Sequence, residues 1–179
     1  MLNFYHELDH LKLSEKEIDE LFNFSEQVKT KKLPHTDENG WYNNRGEFVT
    51  SFDDFQFFSL DDSHTQQAPL SLKKIKSFLD LSEWKNGLVW LVWVDGKLDW
   101  HRDVRNVSVS IPLVDIKEPV YWIDQDLKTI IGEYKYKKGV PVIFNTAIHH
   151  GNLQNNSPRT MCQLSFMQTI EEVKEWFTV

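Results

Sequence analysis

The sequence holds one cysteine, Cys162, among 179 residues, which excludes an internal disulfide framework. A lone thiol suits a reducing compartment, and the expected location is cytoplasmic. Long apolar runs are missing too: no stretch reaches the roughly 18 to 20 residues that a membrane-crossing helix needs. The polar opening MLNFYHELDHLK lacks the shape of a signal peptide, so a soluble, unprocessed protein is expected. Positive charge is in deficit, with 20 Lys and Arg against 27 Asp and Glu, for a net charge of −7. Phosphate neutralisation demands the opposite balance, which disfavours free nucleic acid as a partner. There is no Gly-rich phosphate loop, no Cys-x-x-Cys, no nucleophile elbow, no internal repeat and no low-complexity tract.

Aromatic residues are plentiful, with 7 Trp and 12 Phe, and they favour a strand-rich core or an aromatic-lined pocket over a helical bundle. The length fits a single domain over residues 1–179. From Ser14 to about Val28 the chain reads as an amphipathic helix opened by a Ser14/Glu17 capping box, with Ile18, Leu21 and Phe22 on one side. A second helix is expected over Leu70 to Leu79. Between them, Asn39-Gly40 and Arg45-Gly46 bracket short aromatic runs that suggest small hairpins or a long loop. After Gly87 the texture changes to six strand candidates, GLVWLVWV, RNVSVSIPL, EPVYWI, LKTIIGEYKY, GVPVIFN and RTMCQLSF. They predict a mainly antiparallel sandwich or barrel. A short helix, TIEEVKEWF, opened by Thr169 and Glu171, closes the chain. The organisation expected is residues 1–86 as helical and hairpin support, 87–167 as a β core, and 168–179 as a C-terminal helix.

Two segments carry chemistry. In LDWHRDVRN, His101 and Asp103 are two apart at the start of a strand candidate, so the period of two turns both side chains to one face. Imidazole with carboxylate suits Fe(II), Mn(II) or Zn(II) and leaves coordination sites for others. A surface His beside a turn Asp is the bland alternative for that pair alone. In FNTAIHHGNLQNNSPRTMCQLSF, one strand delivers His149 and His150, and the next begins at Arg159.

Together, an upstream His-x-Asp, a distal His and an Arg opening the following strand resemble the Fe(II)- and 2-oxoglutarate-dependent oxygenases, over residues 88–166. The resemblance implies a mainly β fold with flanking helices around a double-stranded β-helix, a jelly-roll or cupin-like core. It implies His101 and Asp103 as metal ligands, one of His149 and His150 as the third, and Arg159 as the anchor of the co-substrate's distal carboxylate. Adjacent strand residues face opposite sides, so only one of the pair reaches the metal without a bulge. The run NTAIHHG, with its His-Gly ending, favours His150; a spacing of ten residues to Arg159 favours His149. The implied reaction is hydroxylation with Fe(II), 2-oxoglutarate and O2, releasing succinate and CO2, with ascorbate as an optional accessory. The Trp-His-x-Asp start is similar to aspartyl/asparaginyl and prolyl hydroxylases, which points to a peptide side chain or a small metabolite as substrate.

Other residues divide between pocket and scaffold. Arg105 shares the parity of His101 and Asp103 and suits a substrate anion or a surface salt bridge. Asn106, Ser108 and Ser110 alternate with Val107, Val109 and Ile111, giving β segment 107–112 one polar and one apolar face. Tyr121, Trp122 and Tyr134 fit co-substrate stacking or, better, core packing. Trp100 is expected to wall the site, and Trp41 and Tyr42 suit a lid or, better, an aromatic hairpin. His6, His10, His35 and His64 show no ligand pattern. Two rival functions use the same residues differently: a cupin-like metalloenzyme without 2-oxoglutarate, for which Arg159 is dispensable, and a non-catalytic β-sandwich binding protein with no tight metal site.

Overall fold

The computed structural model describes residues 3–28, 41–43, 48–49, 55–59, 88–94, 100–153 and 158–177, with backbone pairing alone in the strands between 41 and 94. The expected helix over Leu70 to Leu79, the turns at Asn39-Gly40 and Arg45-Gly46, and His35 and His64 lie outside the described residues.

Among the described residues, twelve strands pair antiparallel in two six-stranded sheets. In chain order they are β1 (Tyr5–Glu7), β2 (Trp41–Asn43), β3 (Phe48–Val49), β4 (Phe55–Ser59), β5 (Leu88–Val94), β6 (His101–Asp103), β7 (Val107–Pro112), β8 (Val120–Ile123), β9 (Ile130–Tyr134), β10 (Val142–Asn145), β11 (His150–Gly151) and β12 (Arg159–Phe166). The first sheet runs β1-β10-β7-β12-β5-β4 and the second β3-β2-β6-β11-β8-β9. Neighbours in each sheet are mostly distant in sequence, as β12 beside both β5 and β7 illustrates. All six strand candidates after Gly87 form strands. Both sheets also recruit strands from before residue 87, including Tyr5–Glu7, a short polar edge strand whose three residues carry no readable periodicity.

Helix α1 (Glu15–Val28) begins where expected: Ser14 Oγ and N both donate to Glu17 Oε2 at 2.8 Å, the reciprocal pattern of a capping box. Helix α2 (Ile170–Phe177) begins the same way, but the partner of Thr169 is Glu172, at 2.8 Å from both its N and Oγ1. Glu171 instead accepts from Asn3 Nδ2 at 3.1 Å. The three-residue spacing of the box explains the difference.

The two helices cover the outer face of the first sheet. Their Ile18, Leu21, Ile170, Val173 and Phe177 form one core with Val107, Val109 and Ile111 of β7 and Cys162, Leu164 and Phe166 of β12. Burying each large apolar side chain there contributes about 1.5–3 kcal/mol. Strand alternation sends the other residues of β7 and β12 the opposite way, into the space between the sheets. That space is packed at one end by Val120, Trp122, Tyr134, Val142 and Phe144. Gly139, between β9 and β10, sits at φ +73°, where an added Cβ would lie 2.5 Å from Ile18 Cδ1, so this turn needs glycine to let α1 approach. No helix among the described residues is long and apolar enough to cross a membrane.

Candidate metal centre

The site is assembled by strand register. His150 pairs directly opposite His101 on one side and opposite Trp122 on the other. Directly opposed residues of antiparallel strands present their side chains to the same face. Trp122 belongs to the core between the sheets, so His150 and His101 turn inward with it. Asp103, two residues along β6, follows by the period of two. The ligand atoms of His101, Asp103 and His150 all lie within 4.8 Å of one another. His101 Nε2 is 3.7 Å from Asp103 Oδ1, and the two imidazole centroids are 4.4 Å apart. Both histidines are buried, at 4% and 8% exposure.

His150 Nδ1 lies 2.9 Å from the Ile148 carbonyl oxygen. A carbonyl only accepts, so Nδ1 carries the proton and Nε2 keeps its lone pair for a cation. Desolvation pushes the Asp103 carboxyl above the usual carboxylate range, although 27% of its side-chain surface remains accessible. The neighbouring His150 and a hydrogen bond with Thr146 act against that shift. A bound cation would favour the ionised carboxylate in the same direction. Two imidazoles and one carboxylate on one side of a cavity are a donor set suited to Fe(II) with open coordination positions.

His149 lies outside this cluster. It is half-buried, its carbonyl accepts from Ile123 N at 3.0 Å, and burial together with Arg102 holds its imidazole below the usual range.

Arg159 opens β12 with the parity of Met161, Gln163 and Ser165, on the face directed between the sheets. It is 3% exposed, and its Nε and Nη2 have no hydrogen-bond partner among the described residues. The hydrogens of these two nitrogens share one edge of the guanidinium plane, the edge that receives a carboxylate through two parallel bonds. Buried donors without partners are costly, so this edge is shaped for a ligand that supplies acceptors. The guanidinium carbon lies 5.9 Å from the centroid of the Tyr136 ring. Burial pushes that phenol up, and Arg159, by its charge and hydrogen bond, pulls it back.

The polar face foreseen for segment 107–112 does turn inward. Ser108 and Ser110 are each 1% exposed, their hydroxyls 3.5 Å apart, and Gln163 Nε2 donates to Ser110 Oγ at 3.3 Å. Trp122 and Tyr134 are core residues; Trp122 Nε1 donates to the Asn145 carbonyl at 2.9 Å, the partner that a buried indole requires. Tyr121 and Trp100 are half-buried. Trp41 and Tyr42 lie in β2, opposite Asp103 and Arg102 of β6, which places that strand beside the cluster. Three polar residues near Arg159 escaped sequence reasoning: Tyr136, Glu118 and Asn152. Asn152 had a signal, its spacing of two from His150; Glu118, an acid before a proline, reads as surface.

No protein-family model matches the sequence, and no curated protein matches it. Solved structures do. A prolyl hydroxylase from Trichoplax adhaerens, in complex with a peptide fragment of the hypoxia inducible factor oxygen degradation domain, is 12% identical with a TM-score of 0.60, over 97% of this chain and 86% of that one. The viral collagen prolyl hydroxylase from Paramecium Bursaria Chlorella virus-1, in its 2-oxoglutarate complex, is 14% identical with a TM-score of 0.53, over 93% and 97%. A non-heme α-ketoglutarate-dependent epimerase from nogalamycin biosynthesis is 9% identical with a TM-score of 0.56, over 91% and 78%. At such identities the likeness concerns the fold. The chain has the double-stranded β-helix fold of the Fe(II)/2-oxoglutarate-dependent oxygenases, with a His-Asp-His group at its centre.

Proposed function

We propose that the protein is an Fe(II)- and 2-oxoglutarate-dependent dioxygenase that hydroxylates a peptide side chain or a small metabolite, releasing succinate and CO2. The observation that carries this reading is the conjunction of the inward His101/Asp103/His150 cluster with a buried guanidinium whose bidentate edge has no hydrogen-bond partner among the described residues. A metal site alone would equally suit a cupin-like enzyme without a co-substrate; an orphaned arginine edge in the same interior adds a demand for a carboxylate. Both requirements meet in one molecule that carries a 2-oxo acid at one end and a carboxylate at the other.

In this reading His101, Asp103 and His150 hold the iron, which when bound supplies the O2-dependent oxidation. His150 presents Nε2 because Ile148 retains the proton on Nδ1. Arg159 orients the co-substrate, with Tyr136 fixing the guanidinium. The buried wall of Trp122 and Phe144 keeps water from the interior. A peptide substrate finds support in the peptide held by the Trichoplax adhaerens structure. The epimerase of the same fold is a reminder that fold alone does not choose the reaction.

The test is succinate formation from 2-oxoglutarate with Fe(II), ascorbate and O2, which proceeds slowly in such enzymes without prime substrate. Succinate above the no-enzyme background in wild type, and none after Arg159→Leu, supports the reading. Tight metal binding with no succinate in wild type assigns the cupin-like chemistry instead, and no metal binding removes both.

A further inference from the structure

Glu118 stands in the loop before β8, with its side chain only 12% exposed. Its Oε2 accepts a hydrogen bond from Asn152 Nδ2 at 2.9 Å and lies 3.6 Å from Arg159 Nη2. At 3.6 Å the arginine is attracted but not hydrogen-bonded, and Nη2 accordingly keeps an unmatched donor. Asn152, buried at 2% and two residues beyond His150, thus hydrogen-bonds this carboxylate beside the arginine. Glu118 neutralises part of a buried charge that would otherwise be costly, without closing the guanidinium edge.

We infer that Glu118 is a specificity-determining residue of the co-substrate pocket, a resident carboxylate that shares the charge of Arg159 and so weakens the binding of acids carrying a distal carboxylate. This rests on the reading of Arg159 as the co-substrate's anchor. The physical reason is that a ligand carboxylate on the open edge places two anions against one cation in a desolvated site, and like charges so juxtaposed oppose each other strongly. The arrangement trades ligand affinity for stability of the ligand-free protein. Glu118→Gln keeps the shape and an acceptor for Asn152 and removes only the charge.

The experiment is direct binding to the Mn(II)-loaded protein, followed by calorimetry, of two 2-oxo acids. 2-Oxoglutarate carries the distal carboxylate; 2-oxobutanoate ends in a methyl group. Wild type is expected to prefer 2-oxoglutarate, and Glu118→Gln to bind it about ten-fold tighter, a discounted figure for a like-charge contact in a partly accessible site. Affinity for 2-oxobutanoate stays unchanged. The ligand-free variant melts lower than wild type, and 2-oxoglutarate raises its Tm by more. Unchanged or weakened binding of 2-oxoglutarate by the variant overturns the inference while leaving the function intact. A wild type that does not distinguish the two acids overturns the role of Arg159 and the inference together. Should Glu118→Gln fail to fold, Glu118→Ala serves: it removes the same charge and should likewise bind 2-oxoglutarate tighter than wild type; weaker or unchanged binding contradicts the inference.

Discussion

The two sheets of this protein are built to different ends. The strands of the first that lie under the helices are long, with eight residues in β12 and six in β7, and every residue of β7 is buried. The metal-site strands of the second are short, three residues in β6 and two in β11, and they carry His101, Asp103 and His150. Long ladders backed by the helices supply stability, and short ladders in the middle of the second sheet place the polar groups. The metal-site cluster and the helix-backed core are thereby housed in different sheets, with Arg159 at the start of β12 the site residue that the first sheet contributes, and substitutions should separate metal binding from stability.

The largest effect is expected in the first sheet. Phe166 is fully buried and meets Trp176 edge-on at 5.6 Å between centroids. Phe166→Ala should lower the unfolding free energy by about 3–5 kcal/mol. Denaturant titration measures it, and the fraction that remains folded should still bind metal with wild-type affinity. Weaker metal binding by the folded fraction would show that the two sheets are energetically joined. Next in size is His150→Ala, which should weaken Mn(II) binding by about 100-fold or more while costing about 1 kcal/mol of stability, the value of its bond to Ile148. His149→Ala should leave metal affinity within about two-fold, since its side chain is outside the ligand cluster. Equal losses in both variants would sink the assignment of roles.

How much of this was legible in the sequence depended on periodicity. His-x-Asp could be read as one face because a strand's period of two is short enough for a pair to declare it, and the six strands after Gly87 announced themselves through β-branched and aromatic runs. The choice within His149-His150 was legible only in part, through the His-Gly ending that favoured His150, because β11 is two residues long and its facing is set by pairing with His101 and Trp122, which are remote in sequence. For the same reason the direction of the seryl face of β7 stayed open: alternation separates two faces but does not say that both are covered. Glu118 carried no signal, since its role exists only through Asn152 and Arg159 across the fold. Local chemistry was visible; tertiary apposition was not.

A smaller effect should arise where the first sheet meets α1. Gly139→Ala places a Cβ against Ile18 in a backbone conformation that L residues resist, and should cost about 1–2 kcal/mol by denaturant titration. Metal affinity should stay the same, since the turn bears on the helix rather than on β6 or β11.

The smallest effect tests the helical cover alone. Thr169→Ala removes the α2 cap and should cost about 1 kcal/mol. The same cap ties stability to pH through Glu172, whose carboxyl is held below its usual range by the hydrogen bonds from Thr169 N and Oγ1. A group depressed in the folded state stabilises above its unfolded pKa and loses that contribution as pH falls through the folded value. The wild-type advantage over Thr169→Ala should therefore be full at neutral pH and shrink below the ordinary glutamate value of 4.5. Paired denaturant titrations at neutral and acid pH measure this. An advantage that persists undiminished into acid would mean that the threonine acts through packing against the sheet, and that the helical cover and the strands beneath it are less separable than the comparison of the two sheets holds.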